Sequence, residues 1–135
     1  MDAKRLSILV VEDDEDTLKL MTRLLEREGY DVRPATSFEE AEARAAGCGL
    51  LVSDIGLGEL GGLELMRELK SRHGIKGIAV TGHAEPYDRQ DARDAGFDGF
   101  IAKPISLPRL LEMIEELIGT GDDVGMTNGR MGGLS

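Results

Sequence analysis

The sequence predicts a doubly wound α/β domain whose five-stranded parallel sheet runs in the order 2-1-3-4-5. Three observations carry this. Short apolar runs recur without polar alternation, as a sheet covered on both faces requires. Each run is followed by a stretch with helical spacing, the signature of repeated βα units. One strand candidate, residues 31–35, is polar and holds Pro34, which suits only a sheet edge.

The elements follow in chain order. Ser7 to Val11 reads as a buried strand. Leu18, Met21, Leu24, Leu25 and Glu28 then mark a helix closed by Gly29. After the edge strand, Ser37 with Glu40 three residues on forms a capping box and opens a helix through Ala45 or Ala46. Leu50 to Ser53 is a second buried strand, followed by a glycine-rich loop and a helix carrying Leu63, Met66 and Leu69 on one face. Ile78-Ala79-Val80 is the next strand, and the helix after it, from about Pro86 to Ala95, is polar with only small residues such as Ala92 and Ala95 facing inward. Phe100-Ile101-Ala102 is the last strand. Leu107, Leu110, Leu111, Ile114, Leu117 and Ile118 follow at helical spacings. Residues 119–135 have six glycines and no apolar periodicity, and read as a flexible tail, leaving 1–118 as the domain.

Composition limits the function classes. A 41% hydrophobic and 31% charged chain is ordinary for a water-soluble domain. The longest apolar run, Ile8 to Val11, is far short of the ~20 residues of a membrane span, and no signal-peptide pattern opens the chain. The single cysteine, Cys48, excludes an internal disulfide. These features predict a cytoplasmic location without membrane insertion. The net charge of −10 and the lack of a basic stripe argue against direct nucleic-acid binding.

In a doubly wound sheet, ligands bind beyond the carboxyl ends of the strands. Those ends carry Glu12, Asp13 and Asp14 after strand 1, Asp54 at strand 3, Thr81 at strand 4, and Lys103 with Pro104 after strand 5. A cluster of carboxylates with one lysine is unfavourable alone, since two of them about 5 Å apart repel by ~3 kcal/mol at an effective dielectric of ~20. A hard divalent cation such as Mg²⁺ relieves this and takes oxygen ligands. Asp54 then becomes a nucleophile toward phosphorus, with Thr81 as hydrogen-bond donor and Lys103 as point charge to the new group. The acidic run at 12–16 equally suits the N-terminus of the following helix through its dipole.

The stretches Ile8-Leu9-Val10-Val11-Glu12-Asp13-Asp14, Val52-Ser53-Asp54, Ala79-Val80-Thr81-Gly82 and Phe100-Ile101-Ala102-Lys103-Pro104 together resemble the receiver domain of bacterial two-component response regulators, over about residues 5–118. The resemblance implies a flavodoxin-like fold of receiver type. It implies Asp54 as phosphoryl acceptor, and Mg²⁺ on Asp13, Asp14, Asp54 and the backbone carbonyl of Gly56. It further implies a switch through Thr81 and Phe100, a phosphate-holding Lys103, and a cis Lys103–Pro104 peptide. The implied partners are a sensor histidine kinase or a histidine phosphotransfer protein, and a downstream protein contacted through residues 86–118. No turnover substrate is implied beyond the domain's own phosphotransfer and dephosphorylation.

Two departures from the family pattern stand out. Gly58 replaces a usual proline, and Gly61 replaces an acid or amide before Gly62, which predicts a looser loop beside the metal. The turn Thr81-Gly82-His83 leans toward the receiver of a hybrid kinase rather than a stand-alone regulator. A phosphatase using Asp54 usually needs a second acid two residues on, where this chain has Gly56. A pseudo-receiver, serving only as an interaction module, tends to lose the acceptor or the acid pair, both of which are kept here.

Overall fold

The computed structural model describes residues 6–56, 61–82 and 86–119, with no account of the side chains of 86–88. Gly58, His83 and the tail beyond Gly119 lie outside the described residues. Among the described residues ten elements alternate: β1 (Ser7–Val11), α1 (Glu15–Arg27), β2 (Asp31–Ala35), α2 (Phe38–Arg44), β3 (Leu50–Asp54), α3 (Gly61–His73), β4 (Lys76–Thr81), α4 (Pro86–Ala95), β5 (Gly99–Ala102) and α5 (Leu107–Ile118). All strands are parallel and lie in the order β2-β1-β3-β4-β5.

The central strands are buried because nothing in them is polar enough to resist it. Ile8, Leu9, Leu50, Leu51 and Ile78 are fully covered. One side of the sheet and α2, α3 and α4 share a core of Leu9, Val11, Leu51, Ala79, Leu65, Met66, Leu69, Ala92 and Phe97, with Phe38, Ile55, Leu63 and Phe100 packed against it. In α3 the buried face is Gly62, Leu65, Met66 and Leu69, while Leu63 lies at its margin rather than its centre. Leu18, Met21 and Leu25 are the buried stripe of α1, and Leu24 is only half-buried.

The polar strand β2 does sit at the sheet edge. Arg33 turns that polarity to use, its guanidinium donating to the carbonyls of Arg44 and Ala46 at 3.1 and 2.5 Å, where α2 leaves its last acceptors unpaired. Arg44 in return donates to the Pro34 carbonyl. At the other end of α2, Ser37 Oγ accepts from the Glu40 N–H at 3.2 Å, as the capping box requires. The reciprocal half differs. Glu40 reaches one residue further back, to the N–H of Thr36 at 2.7 Å and its hydroxyl at 3.0 Å, and these bonds hold its carboxyl below the usual range. Cys48 is buried, and burial pushes its thiol up, away from the thiolate form.

By its contacts the chain divides after Ile105. In the C-terminal part, Ser106 caps α5 by accepting from the Arg109 N–H at 3.3 Å, and Pro108 occupies the first turn. Leu110, Met113 and Ile114 are its buried residues.

Candidate functional site

The parallel register determines which residues meet. Val11 pairs with Ser53, Asp54 with Val80, and Thr81 with Ala102. Extending the first pairing by one residue sets Glu12 beside Asp54. Lys103 follows β5, and its N–H donates to the Thr81 carbonyl at 2.7 Å, which holds the strand-5 end against the strand-4 end. The Lys103–Pro104 peptide is cis.

At the centre is the Lys103 ammonium, 3.0 Å from Asp54 Oδ2 and 3.3 Å from Glu12 Oε1. The second Asp54 oxygen accepts from the Gly56 N–H at 3.0 Å. Glu12 Oε2 accepts from the Asp14 N–H, also at 3.0 Å. Glu12 is thus almost wholly buried, at 3% exposure, yet both its oxygens are engaged. Burial raises its carboxyl above the ordinary range, against the opposing pull of the Asp14 amide and Lys103. For Lys103, burial disfavours the charge, but the hydrogen bond and attraction of Asp54, reinforced by Glu12, outweigh it and raise the ammonium above its usual value. Lys103 is charged throughout the neutral range.

Glu12, Asp13 and Asp54 each place a carboxylate oxygen within 4.8 Å of the others. At that separation each like-charged pair costs about 3 kcal/mol at an effective dielectric of ~20, and one lysine does not offset three acids. An octahedral Mg²⁺ with bonds of ~2.1 Å sets its ligand oxygens ~3–4 Å apart, so only a small contraction is needed. The donor set therefore fits a hard divalent cation.

The acids nearest one another are not the pair expected from the sequence. Asp13 is in the group, but Asp14 is not. It is the N-cap of α1, where its carboxylate accepts from the Thr17 N–H at 3.0 Å and from the Thr17 hydroxyl. The hydroxyl, then the amide, lowers its carboxyl below the usual range. In its place stands Glu12, counted among the strand-end acids but not in the implied metal set. Its signal was positional: it directly follows β1, in line with Asp54, whereas Asp14 stands three residues before a threonine at a helix start.

Thr81 is buried at the end of β4. Phe100 on β5 is half-buried, and the Arg89 guanidinium on α4 lies over its ring at 4.9 Å from the centroid. Among the described residues no helix is long and apolar enough to cross a membrane.

A doubly wound parallel sheet with an acid cluster and a lysine at its carboxyl edge is suited to holding a cation beside a phosphoryl group. The chain belongs to the response regulator receiver domain family, whose pattern matches residues 8–115. It is 39% identical over 119 residues to the polar-differentiation response regulator DivK of Brucella ovis, covering 84% of this chain and 96% of that one. It superposes on a CheY-like receiver domain protein from Methanospirillum hungatei JF-1 with a TM-score of 0.77 and 36% identity, over 84% of this chain and 94% of the other. A response regulator from Burkholderia pseudomallei, solved with a phosphorylated aspartic acid, a calcium ion and citrate, matches with a TM-score of 0.73 and 28% identity, over 84% and 73% of the two chains.

Proposed function

We propose that this receiver domain takes a phosphoryl group onto Asp54 from a histidine kinase or a histidine phosphotransfer protein, in the cytoplasm. The observation that carries this reading is the meeting of Asp54 with Lys103, 49 residues away, and of both with the buried Glu12. The phosphorylated aspartic acid of the Burkholderia pseudomallei relative supports it.

In the reaction, an Asp54 carboxylate oxygen forms a bond to phosphorus as the donor's P–N bond breaks, and the imidazole nitrogen keeps the electron pair. Lys103 neutralises charge on the transferring group, and the Gly56 N–H fixes the carboxylate. Glu12, Asp13 and Asp54, with the Gly56 carbonyl, would hold Mg²⁺, which supplies charge neutralisation to the phosphoryl oxygens when bound. Thr81 and Phe100 then follow the new group and alter the surface offered to a downstream protein. The domain turns over no substrate beyond its own phosphoryl group.

Intact-mass measurement after incubation with Mg²⁺ and a small phosphodonor tests this. One added phosphoryl group is expected in wild type, none in Asp54→Asn, and none with chelator. Addition to Asp54→Asn at the wild-type level would sink the reading. A second measurement separates the acids. Glu12→Gln is expected to weaken Mg²⁺ binding on the order of 10-fold or more, and Asp14→Asn to leave it nearly unchanged, in calorimetric titration. The opposite ranking would return Asp14 to the ligand set.

A further inference from the structure

One buried polar side chain has no part in the chemistry proposed above. Ser53, the next-to-last residue of β3, is fully covered. Leu51 lies in the core shared with α2, α3 and α4, and Ile55 packs against it, so the strand period turns Ser53 toward the same apolar side. A hydroxyl placed there is costly unless it is hydrogen-bonded. Its Oγ donates to the Asp54 carbonyl at 3.0 Å. The β1–β3 pairing ends at Val11 and Ser53, so the hydroxyl serves a carbonyl one residue past the last strand pair.

The peptide joining Asp54 to Ile55 is gripped on both sides. Its N–H donates to the Val80 carbonyl at 3.0 Å, and its carbonyl accepts from Ser53. The next carbonyl, that of Ile55, accepts from the Gly62 N–H at 2.7 Å. These two peptides span the Asx-type turn in which Asp54 Oδ1 accepts from the Gly56 N–H at 3.0 Å, and that turn closes only when both are correctly oriented. Of the three bonds that orient them, the one from Ser53 is made by a side chain. We infer that Ser53 is a positioning residue for Asp54, its hydroxyl fixing the turn that holds the carboxylate for attack on phosphorus. The inference rests on the acceptor reading given above.

The test is the initial rate of phosphorylation from a small donor at saturating Mg²⁺, read by intact mass and divided by the folded fraction from each variant's urea curve. Ser53→Ala, and the near-isosteric Ser53→Cys with its weak thiol donor, are expected about three- to tenfold slower than wild type, less than the ~10²-fold of a full misplacement. Ser53→Thr, which keeps the hydroxyl, is expected to stay within about twofold of wild type. A rate for Ser53→Ala or Ser53→Cys within about twofold of wild type, or a Ser53→Thr rate as low as theirs, would overturn the inference while leaving the acceptor reading intact. No phosphorylation of wild type would overturn the acceptor reading and this inference with it.

Discussion

Lys103→Met is expected to slow phosphoryl transfer from a small donor on the order of 10²-fold, the loss seen when one preorganised charge-stabilising donor leaves an active site. The side chain keeps its length and loses its charge, so the change reports electrostatics rather than packing. Lys103 is also the only described cation facing Glu12 and Asp54, at 3.3 and 3.0 Å. Without it the buried Glu12 carboxylate keeps only the Asp14 amide. Breaking a fully buried pair costs about 3–5 kcal/mol. Here the stability loss should be well below that, because Lys103 is 35% exposed and water screens the pair. The initial rate by mass spectrometry and the urea midpoint separate the two effects. A rate within a few-fold of wild type would show that Lys103 is structural only.

Gly62→Ala is expected to be the most damaging conservative change near the site. An added Cβ would collide with the Asp54 carbonyl oxygen and lie 2.9 Å from Ile55 Cα and 3.0 Å from the Asp54 carbonyl carbon. Every one of these is backbone, so no rotamer change relieves the clash, and α3 must move off the end of β3. That movement also breaks the 2.7 Å bond from the Gly62 N–H to the Ile55 carbonyl. Overpacking of this kind typically costs about 1–3 kcal/mol. Phosphorylation should fall with it, because the displaced backbone is that of Asp54. At Gly82, where a Cβ meets nothing within 4 Å among the described residues, the same substitution should leave the urea midpoint nearly unchanged. Equal midpoints for the two variants would contradict the close-approach account.

These predictions draw on different depths of information in the sequence. The five strands and their order were legible because burial on both faces leaves the central strands almost wholly apolar until their carboxyl ends, and because Pro34 and Arg33 mark the edge. Asp54, Thr81 and Lys103 were legible as strand-end residues, since the fold itself directs ligands there. Which acids stand together with Asp54 was only half legible. Five consecutive acids, Glu12 to Asp16, offer several possible pairs, and residue type alone does not choose among them. The choice is made by strand register, which sets Glu12 beside Asp54, and by Thr17, which draws Asp14 into the cap of α1. The role of Gly62 was not legible either, because a close approach between two backbones leaves no periodicity or charge pattern. The same holds for Arg89 over Phe100, a contact between side chains on different elements whose distance only the fold determines.

Chemical trapping tests most directly whether the Asp54 carboxylate is the phosphoryl acceptor. The protein would be phosphorylated with a small donor and Mg²⁺, reduced with borohydride, digested, and sequenced by mass spectrometry. An aspartyl phosphate is reduced to homoserine, so position 54 is expected to read as homoserine in the phosphorylated sample and as aspartate in the untreated one. Conversion at Asp13 or at Glu12 with Asp54 left intact would contradict the account.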